Sequence, residues 1–477
     1  MSEVIHLENK RELFVDYYLT DDFDGTALKL HHPTPADIAI KYDQPWETDE
    51  KGSDSFYTNV FQDGDIFRMY YRGHITNVCY AESEDGINWY KPDLGMVSKK
   101  SFDKNNIVME MTHSRAFFTF LDNRSGVPES EKYKSNVERN RGADRDGVNL
   151  YVSKDGIKFN QFGGAPGIPL SLPNHFDSQN PMFWSETEQQ YVIYGRYAVG
   201  KEGLLKQLSD DKWDDQERIR STARATSPDF ENWSEFVPME YSDTDSITPS
   251  AHLYTNQTTP YFRANHIYIS LPGRIFFEKI KDPKVIINKD FGDCSDGVFM
   301  TTRAGSNRYD FTFRESLLRP GIGDKNWTTR NNYPACGVIQ TGETEMSIFV
   351  HRHYAQTSAY LERMTLRLDG FASLNAGYDE GQMVTKTLDF TGNKLELNYS
   401  TSAAGRIRVE ILDESGTPLE GYGIDDCDDL IGDEISGYVS WRGATDLSKI
   451  SGRPVRVRFV MNDADTVSYT HLRAHET

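Results

Sequence analysis

The chain has 477 residues, a formal net charge of −21 at pH 7 and 26 Tyr, 26 Phe and 7 Trp, a length that accommodates two domains. Its Lys and Arg residues are scattered and form no basic stripe, which excludes a nucleic-acid or anionic-membrane partner and leaves a neutral one. Cys79, Cys294, Cys336 and Cys427 stand far apart with no Cys-x-x-Cys pair, so neither a zinc ribbon nor a disulfide framework is expected.

The N-terminus, Met1 to Lys10, lacks an apolar leader core, and no run of about 18 apolar residues follows anywhere. The expectation is a soluble cytoplasmic protein, or a secreted one if the start is misassigned. Nothing in this reading specifies an oligomeric state.

Five times a short apolar strand, a tight turn and a second strand ending in Arg or His recur. The first copy runs Val60 to Asp63, turns at Gly64 and continues from Ile66 to Arg72. It closes with Cys79-Tyr80-Ala81-Glu82 and the turn Ser83-Glu84-Asp85-Gly86 before Trp89. The second runs from Asn106 through Ala116–Asp122 to Val148–Phe159, which includes Ser153-Lys154-Asp155-Gly156, with a polar insert at 123–146. The third opens at Asp177-Ser178-Gln179-Asn180, continues through Gln190–Arg196 and closes at Ser227-Pro228-Asp229 before Trp233. The fourth contains Thr259–Arg263, Ile267–Arg274 and Asp296–Arg303; the fifth contains Pro334–Ile339, Met346–His353 and Leu361–Leu368. One such unit cannot bury its own face, and several do so by packing around an axis. The predicted fold is all-β, a five-bladed β-propeller over residues 1–370.

From about Phe371 the pattern becomes period-two strands between Gly, Pro and Asp turns, at Leu395–Tyr399, Arg406–Leu412, Tyr438–Trp441 and Val455–Val460. This predicts a β-sandwich over residues 371–466. Its run Asp425-Asp426-Cys427-Asp428-Asp429 reads as a solvated loop, with a Ca²⁺ site as the lesser reading. Val467 to Thr477 resembles a translated transposase sequencing adapter, so residues 467–477 are expected to be foreign and the sandwich to lack its final strand.

A propeller followed by a sandwich resembles the glycoside hydrolases of the invertase, levansucrase and arabinanase group. The segment Arg68-Met69-Tyr70-Tyr71-Arg72-Gly73, followed by Tyr80 to Trp89, is similar to family 32-like proteins of environmental bacteria. The resemblance covers about residues 11 to 466 and implies a carbohydrate substrate, of plant or algal type, cleaved by carboxylates. Two departures stand out: there is no Trp-x-Asn-Asp-Pro-Asn-Gly segment, and neither an Arg-Asp-Pro nor a Glu-Cys pair. Fructosidase activity is therefore not implied. A non-catalytic glycan-binding propeller is the alternative, and a protein-binding scaffold a third.

Glycosidic hydrolysis needs one carboxyl to protonate the leaving oxygen and another to attack the anomeric carbon or activate water. In a propeller such groups converge from the starts of innermost strands. Asp177 is the first candidate, against a reading as a turn-capping Asp, with Asn180 beside it as a hydroxyl ligand or turn former. Asp293 and Asp296 follow, in an Asp/Gly-rich segment that equally suits a turn. Glu47 stands next to Trp46, whose apolar ring would raise a carboxyl toward the range of a general acid; Asp122 ranks below these. Arg72, Arg196, Arg263 and Arg274 suit sugar hydroxyls or a carboxylate or sulfate substituent, or else pair with the acids. Asn332, Tyr333 and His353 form a further polar and aromatic binding set. Asp85, Asp155 and Asp229 are read as turn-formers. No phosphate loop, dinucleotide fingerprint or metalloprotease motif occurs, so no cofactor and no metal are expected, His351-x-His353 included.

Overall fold

The computed structural model describes residues 4–74, 77–98, 104–111, 116–139, 147–164, 166–169, 172, 176, 178–200, 218–277, 279, 293–328 and 330–472. Among these the chain is all-β, its helical pieces being single 3-10 turns at Glu129–Glu131 and Asp324–Asn326. It divides into two compact units, one of Pro33–Gly342 with Met346–Thr365, the other of Met1–His32 and Leu366–Thr477 with Glu343–Glu345.

In the larger unit the repeats become antiparallel meanders. Strands Phe56–Asp63, Ile66–Arg72, Asn77–Ser83 and Ile107–Glu110 make the first sheet, in chain order. The next has Phe117–Leu121, Tyr133–Arg139, Gly147–Ser153 and Asn160–Phe162; the third has Met182–Ser185, Gln190–Gly200, Arg218–Ser227 and Val237–Pro238. The fourth repeat splits into two three-stranded sheets. One holds Thr259–Tyr261, Ala264–Ser270 and Met300–Arg303; the other holds His252–Leu253, Gly273–Phe276 and Cys294–Gly297. In the last sheet Ile339–Gln340, Glu345–Arg352 and Tyr360–Arg367 take their outer strand from the start of the chain, Thr34–Lys41. That strand runs antiparallel to its neighbour, with Lys41 opposite Tyr360 and Thr34 opposite Thr365.

The third strands close on the repeated turn with one geometry. Ser83 Oγ accepts from the backbone of Gly86 at 2.9 Å and donates to Asp85 Oδ1 at 2.8 Å, which accepts from Ile87 and Asn88 N–H at 2.8 and 2.7 Å. Ser153 with Asp155 and Ser227 with Asp229 repeat the arrangement. These serines and aspartates satisfy turn N–H groups that strand pairing leaves over. The Asn232 N–H and side-chain amide hold Asp229 down to about 2, so it stays ionised.

Two buried carboxamides tie the first strands together. Gln179 Nε2 donates to the carbonyls of Tyr57 and Phe117 at 3.0 and 3.2 Å. Gln257 Nε2 donates to Gln179 Oε1 at 3.1 Å and to the Pro334 carbonyl at 3.2 Å. The segments so joined begin the strands at Phe56, Phe117, Met182, Thr259 and Ile339.

In the smaller unit the early strands Ile5–His6, Thr20–Asp24 and Thr26–Leu30 pair with Leu388–Asp389, Gly381–Thr385 and Ala372–Ala376. These pairings place residues 4–32 here, whereas the sequence pattern assigns them to the propeller. Two long strands, Lys394–Leu412 and Arg456–Leu472, run side by side around a core that includes Leu397, Ile407, Val409, Trp441, Val457 and Phe459. Val467 to Leu472 continue the second of these, and Tyr469 is fully buried. Of the segment expected to be foreign, residues 467–472 form the end of the strand Arg456–Leu472, and residues 473–477 lie outside the described set.

Candidate active site

In an antiparallel meander the end of the second strand lies beside the start of the first, so residues distant in sequence meet there. Arg72, last in its strand, pairs with Phe56, first in the neighbouring one. Gln190–Gly200 outruns Met182–Ser185, and its extension carries Arg196, with Arg220 on the partner strand opposite Ala198. At the same end of the last sheet the His351 N–H donates to the Tyr333 carbonyl at 2.9 Å, and the Asn332 N–H to the His351 carbonyl at 2.8 Å.

Here Phe56, Tyr57, Ala116, Tyr254, Ile275, Tyr333 and Tyr354 pack into one cluster. Phe56 lies 4.6 Å from Tyr57, 5.5 Å from Tyr333 and 5.3 Å from Tyr354, centroid to centroid, and Tyr254 lies 5.4 Å from Tyr333. Gly273 makes room for Tyr333: a Cβ there would lie 2.5 Å from its ring. Tyr57, Gln257, Asn332 and His353 all hold positive φ, of 50°, 51°, 63° and 54°. Left-handed backbone at non-glycine residues costs of order 1 kcal/mol each, and such strain gathers at ligand sites.

Four guanidinium groups sit against these rings. Arg72 is 5.8 Å from the Phe56 centroid and 5.1 Å from that of Tyr57. Arg196, Arg220 and Arg330 lie 4.8, 5.5 and 5.4 Å from the Tyr254 centroid, and Arg330 is also 5.8 Å from that of Tyr354. Each is a cation–π contact, strengthened where water is excluded.

Asp54, two residues ahead of the first strand, carries a carboxylate at the edge of this cluster whose side chain is 29 % exposed. Its Oδ1 is 2.8 Å from His74 Nδ1, and His74 Nε2 is 3.5 Å from Asp49 Oδ2. The Asp54 carboxylate raises the His74 imidazole above its ordinary value, favouring the charged form. Arg72 Nη2 donates to the Asp54 carbonyl at 2.6 Å and lies 4.0 Å from Oδ2. Ser53 and Ser55 on either side donate to the Glu47 carbonyl at 2.5 and 2.8 Å, fixing the turn. The rule that selected Asp177, an acid just ahead of a first strand, applies equally to Asp54, which the sequence reading passed over.

Asp177 lies outside the described residues. Glu47 is fully buried and engaged: its Oε1 accepts from Tyr71 OH at 2.5 Å, and Oε2 from Asp43 and Gln44 N–H, each at 3.1 Å, and from Lys91 Nζ at 2.7 Å. It is an internal anchor, and the Trp46 indole donates to Asn106 instead. Asp296 forms a two-pronged pair with Arg274, directly across the strands, at 2.9 and 2.6 Å. Asp122 is held by Tyr191, Arg124 and Lys134. Asp293 is buried at the cluster, accepting from Arg330 N–H at 3.2 Å.

Of the expected binding residues, Arg72, Arg196 and Tyr333 meet at the cluster. Arg263 does not: it falls in the tight turn after Thr259–Tyr261, at the opposite end of that strand. Asn180 closes a turn onto the Phe176 and Ser178 carbonyls, and Asn332 clamps the Ser295 and Asn326 carbonyls while accepting from Arg352. His353 contacts Ser358 through Nδ1 and packs on Tyr360. His351 turns instead to Phe56, 4.7 Å away, and Tyr42. In the smaller unit Asp428 accepts from Ser440 and Gly443, and Asp426 pairs with Arg442. Among the described residues no three His, Cys, Asp or Glu side chains converge as a metal site.

No family model matches the chain, and no curated protein matches it. Solved structures do. A thermostable family-43 glycoside hydrolase aligns with 12 % identity and a TM-score of 0.42 over 69 % of this chain and 96 % of its own. The family-32 β-fructofuranosidase of Bombyx mori aligns with 11 % identity and a TM-score of 0.39 over 93 % of this chain and 95 % of its own. An N-acetylgalactosamine deacetylase from F. plautii aligns with 9 % identity and a TM-score of 0.44 over 72 % and 96 %. The chain is similar to propeller glycoside hydrolases of families 43 and 32.

Proposed function

We propose that the larger unit is a five-bladed propeller of the glycoside-hydrolase type, that the smaller one is a sandwich, and that the protein cleaves a glycosidic bond in a plant or algal carbohydrate. The observation that carries this reading is Asp54, an accessible carboxylate held between His74 and Arg72 beside a cluster of tyrosines. Tyrosine faces suit the apolar face of a sugar ring, and guanidinium donors its oxygens. The five strand starts joined through Gln179 and Gln257 support the blade count.

In this reading Asp54 attacks the anomeric carbon or takes a proton from the attacking water, while a second carboxyl protonates the leaving oxygen. Asp177, just ahead of the third first strand in sequence, and Asp293 are the proposed partners. The test is sugar release from a panel of plant and algal polysaccharides by the wild type, Asp54→Asn and Asp177→Asn. Loss of turnover in Asp54→Asn with glycan binding retained supports the assignment; equal turnover removes Asp54 from it.

A second reading, a glycan-binding propeller without catalysis, is favoured by the internal pairing of Glu47, Asp122 and Asp296. It requires binding without turnover by the wild-type protein.

A further inference from the structure

We infer that the loop of residues 321–328 is a second carbohydrate-binding site beside the first. Its Ile322 and Trp327 hold the part of a glycan chain that runs on from the bond at Asp54, so the protein takes oligosaccharides in preference to short glycosides. The inference rests on the carbohydrate reading above and adds chain length to its substrate class.

Ile322 is fully exposed, and Trp327 is 37 % exposed. The Trp327 indole N–H donates at 2.9 Å to the carbonyl of Gly321, the residue before Ile322, so the ring folds back toward the tip of its own loop. Apolar side chains scattered singly are ordinary surface, whereas two gathered on one loop make a patch. With its one polar atom engaged, the indole has carbon surface to offer, which suits the C–H face of a sugar ring. Gly321 and Gly323 hold φ of 81° and 105°, so Ile322 stands at the tip between two residues in glycine conformations.

The loop is fixed from beneath. The Lys325 carbonyl accepts from Gln356 Nε2 at 2.8 Å and from Asn331 Nδ2 at 3.1 Å, the Asn326 carbonyl from Asn332 Nδ2 at 3.0 Å, and the Ile322 carbonyl from Asn326 Nδ2 at 2.9 Å. A tip held in this way loses little further freedom when a ligand settles on it. The same anchors lead to the first site. The Ser53 N–H donates to the Gln356 carbonyl at 3.2 Å and the Ala355 N–H to the Ser53 carbonyl at 2.8 Å, while the Tyr354 N–H donates to Asn331 Oδ1 at 2.7 Å. The turn that carries Asp54 and the Tyr354 ring thus share their supports with the loop, and a glycan chain leaving Asp54 is the occupant continuous with both. To a protein the loop offers two apolar side chains, against the roughly 800 Å² that each partner buries in a stable interface.

The test is affinity against chain length, measured by calorimetry on the full chain. The probes are linear arabino-, galacto- and galacturono-oligosaccharides of about two and about six units, used in an Asp54→Asn background where the wild type cleaves them. The expected result is at least about tenfold tighter binding of the long member than of the short one in one series. In Trp327→Ala and in Ile322→Ser, checked for folding by circular dichroism, that ratio should fall toward one. The fully exposed position of Ile322 keeps the test decisive if Trp327→Ala fails to fold. Equal binding of long and short probes, or a ratio that survives both substitutions, overturns the inference while leaving the carbohydrate reading standing. If no series is bound or cleaved, the carbohydrate reading itself fails and the inference with it.

Discussion

The Gln257 side-chain amide donates to Gln179 Oε1 at 3.1 Å, so two buried carboxamides close the space where the first strands meet. Each also reaches backbone carbonyls at the strand starts, making the pair a clamp on Tyr57, Phe117 and Pro334. Gln179→Leu leaves buried polar groups unmade and should lower unfolding stability by about 3 kcal/mol in a urea titration. Adding Gln257→Leu should cost less than the same change made alone, because the partner it would orphan is already gone. Simple additivity of the two would show that the amides act separately.

Glu47→Gln is expected to act on stability. The change removes the charge facing Lys91 and turns an acceptor into a donor against backbone N–H groups in a fully buried position. Breaking a buried pair in this way costs roughly 3–5 kcal/mol, read as a drop in thermal midpoint. A wild-type midpoint with lost turnover would instead place Glu47 in the chemistry.

His74 should titrate above about 6.5, the ordinary histidine value, because Asp54 favours its charged form. A raised folded value means that this pair contributes stability fully below the unfolded value and loses it as pH rises through the folded one. Following the imidazole by NMR checks this, and Asp54→Asn should bring the value back down. Titration of the wild-type ring at or below the ordinary value would mean that the pair does not form in solution.

His351 behaves in the opposite sense. Burial, with the Arg72 charge adding to it, pushes it down to about 3. The folded protein holds it neutral, so its contribution is present above about 6.5 and is lost as pH falls toward the folded value, at up to about 1.4 kcal/mol per pH unit. Unfolding titrations between pH 4 and pH 6.5 should show a shallower pH slope in His351→Gln than in the wild type.

What the sequence made legible is what depends on near neighbours in the chain. The Ser83–Asp85 turn and its two copies close within a few residues, so their hydrogen bonds could be read directly. Arg72 and Arg196 could be placed because strand ends in a meander meet the next strand's start. The same logic, applied with the turn in view, puts Arg263 at the far end. The partners of Glu47 are not visible from its neighbour Trp46, because Tyr71 and Lys91 arrive from 24 and 44 residues away. The assignment of residues 4–32 was out of reach for the same reason, since their partner strands lie more than 300 residues on.

The pairing of Thr34–Lys41 with Tyr360–Arg367 has a kinetic consequence. A segment synthesised among the first must wait, with its edge unpaired, until the last sheet of its own unit has emerged. That sheet is therefore completed late, and contacts of such long sequence separation make folding slow. A circular permutant that begins at Pro33, or a chain truncated before Tyr360, separates these two stages: the first leaves the closing pair intact, and the second leaves an exposed strand edge open to association with other chains.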